Sequence, residues 1–221
     1  MRSALIAEWT KQRTTPGAGW LLLITVASTV GLGAAVCAVA TDQYDTVRLA
    51  LSGVYLGQAP VAVLGVLAAS GEYSSGLIRV TVAAMPGRSV VLAAKAVVIA
   101  VEVAVVASLA LLVSVLVASQ VGLSVAGEPV LRAGAGSAVY LVLVALLSLG
   151  VAVVVRDSAA AIGAVLGLLY LPPILTAMVT DPGLHRLLER AAPISGGLGV
   201  LTAWSGGFLV FGVLLFRSRD V

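Results

Sequence analysis

The sequence predicts an all-α integral membrane protein. Six transmembrane helices are expected, with an N-terminal interfacial helix, a short cytoplasmic helix between spans two and three, and both termini in the cytoplasm. Three observations predict this fold. Of 221 residues, 60% are hydrophobic and only 10% charged, with a mean hydropathy of +1.13. A soluble domain carries about 25% charged residues, so this chain cannot cover a water-facing surface. The apolar residues are gathered into six runs, five of them near the ~20 residues that cross a bilayer as a helix and the third longer. Finally, Ala, Val, Leu and Gly dominate while aromatics make up only 5%, a bias toward close helix packing in lipid. The length leaves no room for a sizeable extramembrane unit, and one domain is expected over residues 1–221.

Each element follows from its own residues. In Arg2–Arg13, the apolar Leu5, Ile6 and Trp9 share one side, while Glu8, Lys11, Gln12 and Arg13 occupy the rest of the wheel. Such a helix suits the headgroup layer. Thr15-Pro16-Gly17 supplies a bend into the first span. This polar, mixed-charge beginning does not resemble a cleaved signal peptide, so span one is expected to act as its own insertion signal. The spans are read at 19–40, 47–70, 89–119, 134–155, 158–180 and 197–216. Helices are required because hydrocarbon offers no partner to an unpaired backbone group. Asp157-Ser158 provides an N-cap for the fifth helix directly after the fourth, which makes a tight hairpin. Asp181-Pro182-Gly183 is a turn signal, and LHRLLER after it has the pattern of a short surface helix.

Orientation comes from Lys and Arg. With the N-terminus inside, the cytoplasmic segments hold nine of the 13 basic residues: Arg2, Lys11, Arg13, Arg79, Arg88, Lys95, Arg156, Arg217 and Arg219. The outer segments hold four. The positive-inside rule therefore places both termini in the cytoplasm. In this reading Arg88 and Lys95 anchor span three at the headgroups.

Between spans two and three lies a polar island, GEYSSGLIRVTVAAMPGR, from Gly71 to Arg88. Tyr73, Leu77, Val80 and Ala84 recur at helical spacing, while Glu72, Ser75 and Arg79 mark another face. A short helix lying across the cytoplasmic end of the bundle fits this pattern, stopped by Pro86-Gly87.

Within the spans few groups carry chemistry. Glu102 is the one ionisable residue clearly inside a run, seven residues or ~10.5 Å past Lys95 on the same face. An intramembrane carboxylate is a proton site, a substrate contact or an interhelical hydrogen bond. Tyr170-Leu171-Pro172-Pro173 lies within span five. Its prolines remove two backbone donors and are expected to kink or break the helix, either lining a pathway or only shaping the bundle. Gly53/Gly57 and Gly163/Gly167 have GxxxG spacing, which permits close approach without naming a partner.

Other chemistries are excluded or weakly supported. The scattered basic residues argue against nucleic acid. One cysteine, Cys37, forms no intrachain disulfide. The sole histidine, His185, belongs to no metal motif, and Ser205 has no histidine at matching depth to activate it. There is no GxxxxGK[ST], so no P-loop for ATP and no enzyme activity is expected in this chain.

The N-terminal AEWTKQRT before a span, and the island after the second, resemble the ABC-2 class of ABC-transporter permeases, especially the small six-span actinobacterial type. The likeness is concentrated in Glu72, Tyr73, Gly76, Arg79 and the Pro86–Arg88 end. It implies an elbow helix at the N-terminus and a coupling helix in the island. By that likeness Glu72, Tyr73, Ser75, Gly76, Leu77, Arg79 and Val80 dock on a separate ATPase dimer, which binds ATP and Mg itself. It implies export of an amphipathic or hydrophobic compound across a bacterial plasma membrane, with this chain paired with a second permease copy, expected to be identical. The family's re-entrant outer helices correspond in position to Pro182–Leu198. Two other readings remain: a proton- or ion-coupled secondary carrier using Glu102, and a non-transporting immunity or scaffold protein in the membrane.

Overall fold

In the computed structural model, residues 2–39, 49, 51–74, 88–120, 128–178 and 197–218 are described. Among them all regular structure is helical. The helices are α1 (Arg2–Thr14), α2 (Pro16–Val39), α3 (Val54–Ser74), α4 (Arg88–Gln120), α5 (Glu128–Val155), α6 (Ser158–Met178) and α7 (Gly197–Ser218). The six from α2 to α7 are long and apolar enough to cross a membrane.

α5 is the hub. It packs against α3, α4, α6 and α7, while α2 lies on α3 and α4, and α1 rests on α4 and α2. The most apolar window of α5 is 56% buried and that of α3 61%, against 17% for α6 and α7. The outer helices therefore face the core along narrow stripes. On α2 the stripe is Thr25, Thr29, Gly33 and Cys37; on α6 it is Ala161, Val165 and Leu169. Both recur every fourth residue, the spacing of one helix face. The opposite faces expose Trp20, Leu23 and Ile24 on α2, and Leu171, Ile174 and Leu175 on α6. Apolar surface on that scale suits lipid as the surrounding solvent.

Hydroxyls within these helices mostly bond back to their own backbone. Thr25 Oγ1 donates to Leu21 O (2.9 Å), Ser114 Oγ to Ala110 O (2.9 Å) and Ser148 Oγ to Val144 O (2.7 Å). A polar side chain is tolerated in an apolar interior when its own helix satisfies it. Ser205 behaves the same way, donating to Thr202 O at 3.1 Å, as a packing residue does.

Glycines set the closest approaches. A Cβ on Gly53 would land on the Thr29 carbonyl, and one on Gly57 on the Thr29 hydroxyl. The Gly53/Gly57 pair thus seats α2 on α3 within the chain. Gly163 has nothing within 4 Å of a built Cβ, and Gly167 meets only its own helix's Leu171. Gly150 backs onto Phe208 and Leu209, and Gly212 onto Val153, locking α5 to α7.

The hairpin between α5 and α6 is as tight as its residues predict. Arg156 N–H donates to Ala152 O (2.9 Å), and Arg156 itself turns left-handed at φ 61°. A left-handed residue after the last turn is a common helix stop. Asp157 then caps α6, its Oδ1 accepting from the Ala160 N–H at 2.7 Å.

Four expectations need correction. Span two was placed from residue 47, but α3 starts at Val54, wound in by a turn at 51–53 in which Val54 N–H donates to Leu51 O at 3.1 Å. Hydropathy registers apolar side chains and is blind to where the backbone begins to wind. For the same reason α5 starts at Glu128, six residues before the apolar run expected from 134. Pro172 and Pro173 do not break α6, which continues to Met178. A proline's φ is already helical, and only two backbone bonds are lost while the turns on either side keep theirs. Thr176 Oγ1 also donates to Pro173 O at 2.9 Å. Lys95 is no headgroup anchor: it is buried, held by the contacts described next. The turn signal at Asp181, the LHRLLER segment, His185 and most of Pro182–Leu198 lie outside the described residues.

Candidate functional site

Polar side chains gather at two levels of the bundle. The first is where α1, the end of α3 and the start of α4 meet. α1 lies so that Ala4 and Glu8, one turn apart, face the protein, while Ile6 and Trp9 point away from it. Its apolar side is thus turned outward and its carboxylate inward. Arg13 closes over the Trp9 ring at 5.9 Å from the centroid, a cation–π contact on the outer side.

Glu8 meets Lys95 there. Lys95 Nζ donates to Glu8 Oε2 at 2.8 Å and to the Ala68 carbonyl, also at 2.8 Å. The two side chains are 5% and 7% exposed. A lysine ammonium has three donors, and here two of them tie α1 and α3 to α4. Desolvating both ions is expensive, so the pair acts chiefly to fix geometry: with one partner gone, the other is left as a buried, uncompensated charge. Three segments distant in sequence are pinned at one point.

The second level lies ten residues earlier on α3, about 15 Å toward the other end of that helix. Tyr140 of α5 donates its hydroxyl to Gln58 Oε1 in a short contact. Tyr170 of α6 donates to the Tyr55 carbonyl at 2.7 Å. Tyr55 and Gln58 are three residues apart on α3, so three of the five tyrosines converge. Gln58 is fully buried, and its Nε2 has no hydrogen-bond partner among the described residues.

Glu102 belongs to neither group. It sits on α4, whose principal neighbours are α5 and α2, whereas Tyr170 sits on α6, which packs on α5 and α3. The Glu102 Oε2 is buried with no hydrogen-bond partner among the described residues. Pro172 and Pro173 follow Tyr170 by two and three residues, and Pro173 lies on the exposed side of α6.

For the island, Glu72 and Tyr73 fall in the last turn of α3. Ser75, Gly76, Leu77, Arg79 and Val80 lie outside the described residues. No group of three or more His, Cys, Asp or Glu side chains able to hold a metal occurs among the described residues.

Sequence reasoning singled out Tyr170 and Glu102 but missed Glu8, Gln58 and Tyr140. A signal for Glu8 existed: it sits off the Leu5/Ile6/Trp9 side of an otherwise membrane-facing helix. Its partner, 87 positions away, is a matter of tertiary packing. No family model matches the chain, and no curated protein matches it.

Proposed function

We propose that this chain is the membrane permease subunit of an ATP-driven exporter, working as a pair and driven by a separate ATPase dimer. The carrying observation is the Glu8–Lys95–Ala68 junction. It joins α1 to α3 and α4, the two helices that bracket residues 75–87 of the polar island. A force delivered to the island would reach α1, α3 and α4 as one tied body. The resemblance of AEWTKQRT and of the island to ABC-2 permeases supports the same reading, with α1 as the elbow helix and the island as the coupling helix on the cytoplasmic side. The work must come from unequal binding of the island in two ATPase states, since a ligand shifts an equilibrium only by its differential affinity. The scarcity of charge along the spans suits an amphipathic or hydrophobic cargo.

A second reading, a proton- or ion-coupled carrier, is favoured by the unpartnered Glu102 oxygen. One experiment separates them. The reading frames beside the gene are searched for a P-loop ATPase, which is co-expressed with the chain, and purification is repeated with Arg79→Glu and Glu102→Gln variants. The permease reading expects Arg79→Glu to release the ATPase while membrane insertion stays intact, and Glu102→Gln to leave the pH profile of transport unchanged. Failure of the parent chain to form any complex with the ATPase, together with a shifted pH profile in Glu102→Gln, would favour the carrier; an intact complex with unaltered ATP hydrolysis in Arg79→Glu would overturn the assignment of the island as the coupling helix.

A further inference from the structure

Among the described residues, four side chains on the spans keep a buried polar atom without a hydrogen-bond partner: Thr29, Gln58, Ser70 and Glu102. The first three are fully enclosed by the bundle. Glu102 is only half-buried, so its carboxyl stands at the rim of the bundle with Oε2 enclosed and unpaired. It lies near the middle of the apolar window Val90–Gln120 of α4, about 18 Å from one end and about 27 Å from the other. Lipid tails at that level offer a carboxyl no partner.

A stripe continues outward from Glu102. Val105, Leu109, Leu112 and Leu116 follow it at alternating steps of three and four residues, and each is more than half exposed. That alternation is the seam along which paired helices interlock with a left-handed twist. Exposure alone would not single it out, because Val101 and Ser108 of the same helix are also exposed. The carboxyl does. Polar groups on other outward faces are already satisfied within the chain: Tyr170 donates to Tyr55 O and Thr202 Oγ1 to Gly199 O, at 2.7 Å each.

A second copy of this chain supplies what lipid lacks. Two copies inserted in the same orientation are related by a two-fold axis along the bilayer normal, so a stripe lying on the axis meets itself. Glu102 then meets Glu102 of the second copy at equal depth, and one proton held between the two carboxyl groups makes the bond. Beyond it the valine and leucines interdigitate over about 17 Å of helix. We propose that the Glu102–Leu116 face of α4 is the seam between two copies of this chain, closed by a hydrogen bond between their Glu102 carboxyl groups. The seam rests on the pairing of two copies proposed above, and not on what the pair carries.

The test places single cysteines in the full chain, in a Cys37→Ser background, and oxidises the membranes with copper phenanthroline. Leu109→Cys and Leu112→Cys should cross-link as dimers. Ser108→Cys on the same helix, Leu171→Cys on α6 and Val210→Cys on α7 should not. Sedimentation equilibrium of the purified chain in neutral detergent then measures the pair. Glu102→Leu should weaken it about threefold to tenfold, the range of an interhelical hydrogen bond in a membrane. Glu102→Gln should leave it intact, because an amide both donates and accepts. Cross-linking through Leu171→Cys or Val210→Cys in place of the α4 positions would overturn the seam and leave the pair standing. A parent chain that sediments as a monomer and cross-links at no position would overturn both. Equal cross-linking at Ser108→Cys, an undiminished dimer in Glu102→Leu, or equal loss in Glu102→Gln would each overturn the seam as drawn.

Discussion

Lys95 shows what a single buried charge does in a chain this apolar. Its ammonium is held by Glu8 and the Ala68 carbonyl at 2.8 Å each, and the surrounding helices leave it almost no water. Lys95→Met would strand the Glu8 carboxylate inside the protein and should destabilise it by about 3–5 kcal/mol. The double variant Glu8→Leu with Lys95→Met removes both charges and should recover most of that loss. Thermal unfolding in detergent measures both. A double variant as unstable as the single one would show that shape, and not the unpaired charge, dominates. Sequence reading placed Lys95 at the headgroups because the positive-inside rule counts residues without knowing which way a side chain turns. Glu102 and Tyr170 stood out in the sequence because an acid, or a tyrosine beside two prolines, is rare in an apolar run. Gln58 and Tyr140 did not, being neutral residues whose meaning depends on each other.

At the scale of helices, periodicity and hydropathy carried most of the information. All six spans were legible, as was the Asp157 cap, because both depend on residues adjacent in the chain. Which GxxxG pair does the packing was not legible. Gly53/Gly57 and Gly163/Gly167 have the same spacing, yet only the first pair lies beneath another helix, at Thr29 of α2. Gly53→Ala puts a methyl group against a backbone carbonyl that cannot rotate away, and should cost about 1–3 kcal/mol by overpacking. Gly163→Ala opens onto empty space and should stay within about 0.5 kcal/mol of the parent, as surface changes do. Equal thermal stability of the two variants would contradict this assignment of the α2–α3 seam.

For the whole molecule, the proposed topology of six crossings puts α1 and the end of α7 on the same side of the membrane. In a Cys37→Ser background, an impermeant thiol reagent applied to intact cells should label Ser124→Cys and spare Ser3→Cys and Ser218→Cys. Labelling of the latter two with protection of Ser124→Cys would invert the orientation given by the Lys and Arg count. Six helices long and apolar enough to cross a membrane and the tight α5–α6 hairpin were determined by the sequence alone, because apolar run length and caps are local properties. Tertiary structure alone decided that α5 is the hub, that α1 turns its carboxylate inward, and that Glu8, Ala68 and Lys95 share one point. Those facts depend on which helix faces meet, and in a chain whose spans are nearly all apolar the pattern along one helix scarcely distinguishes one face from another.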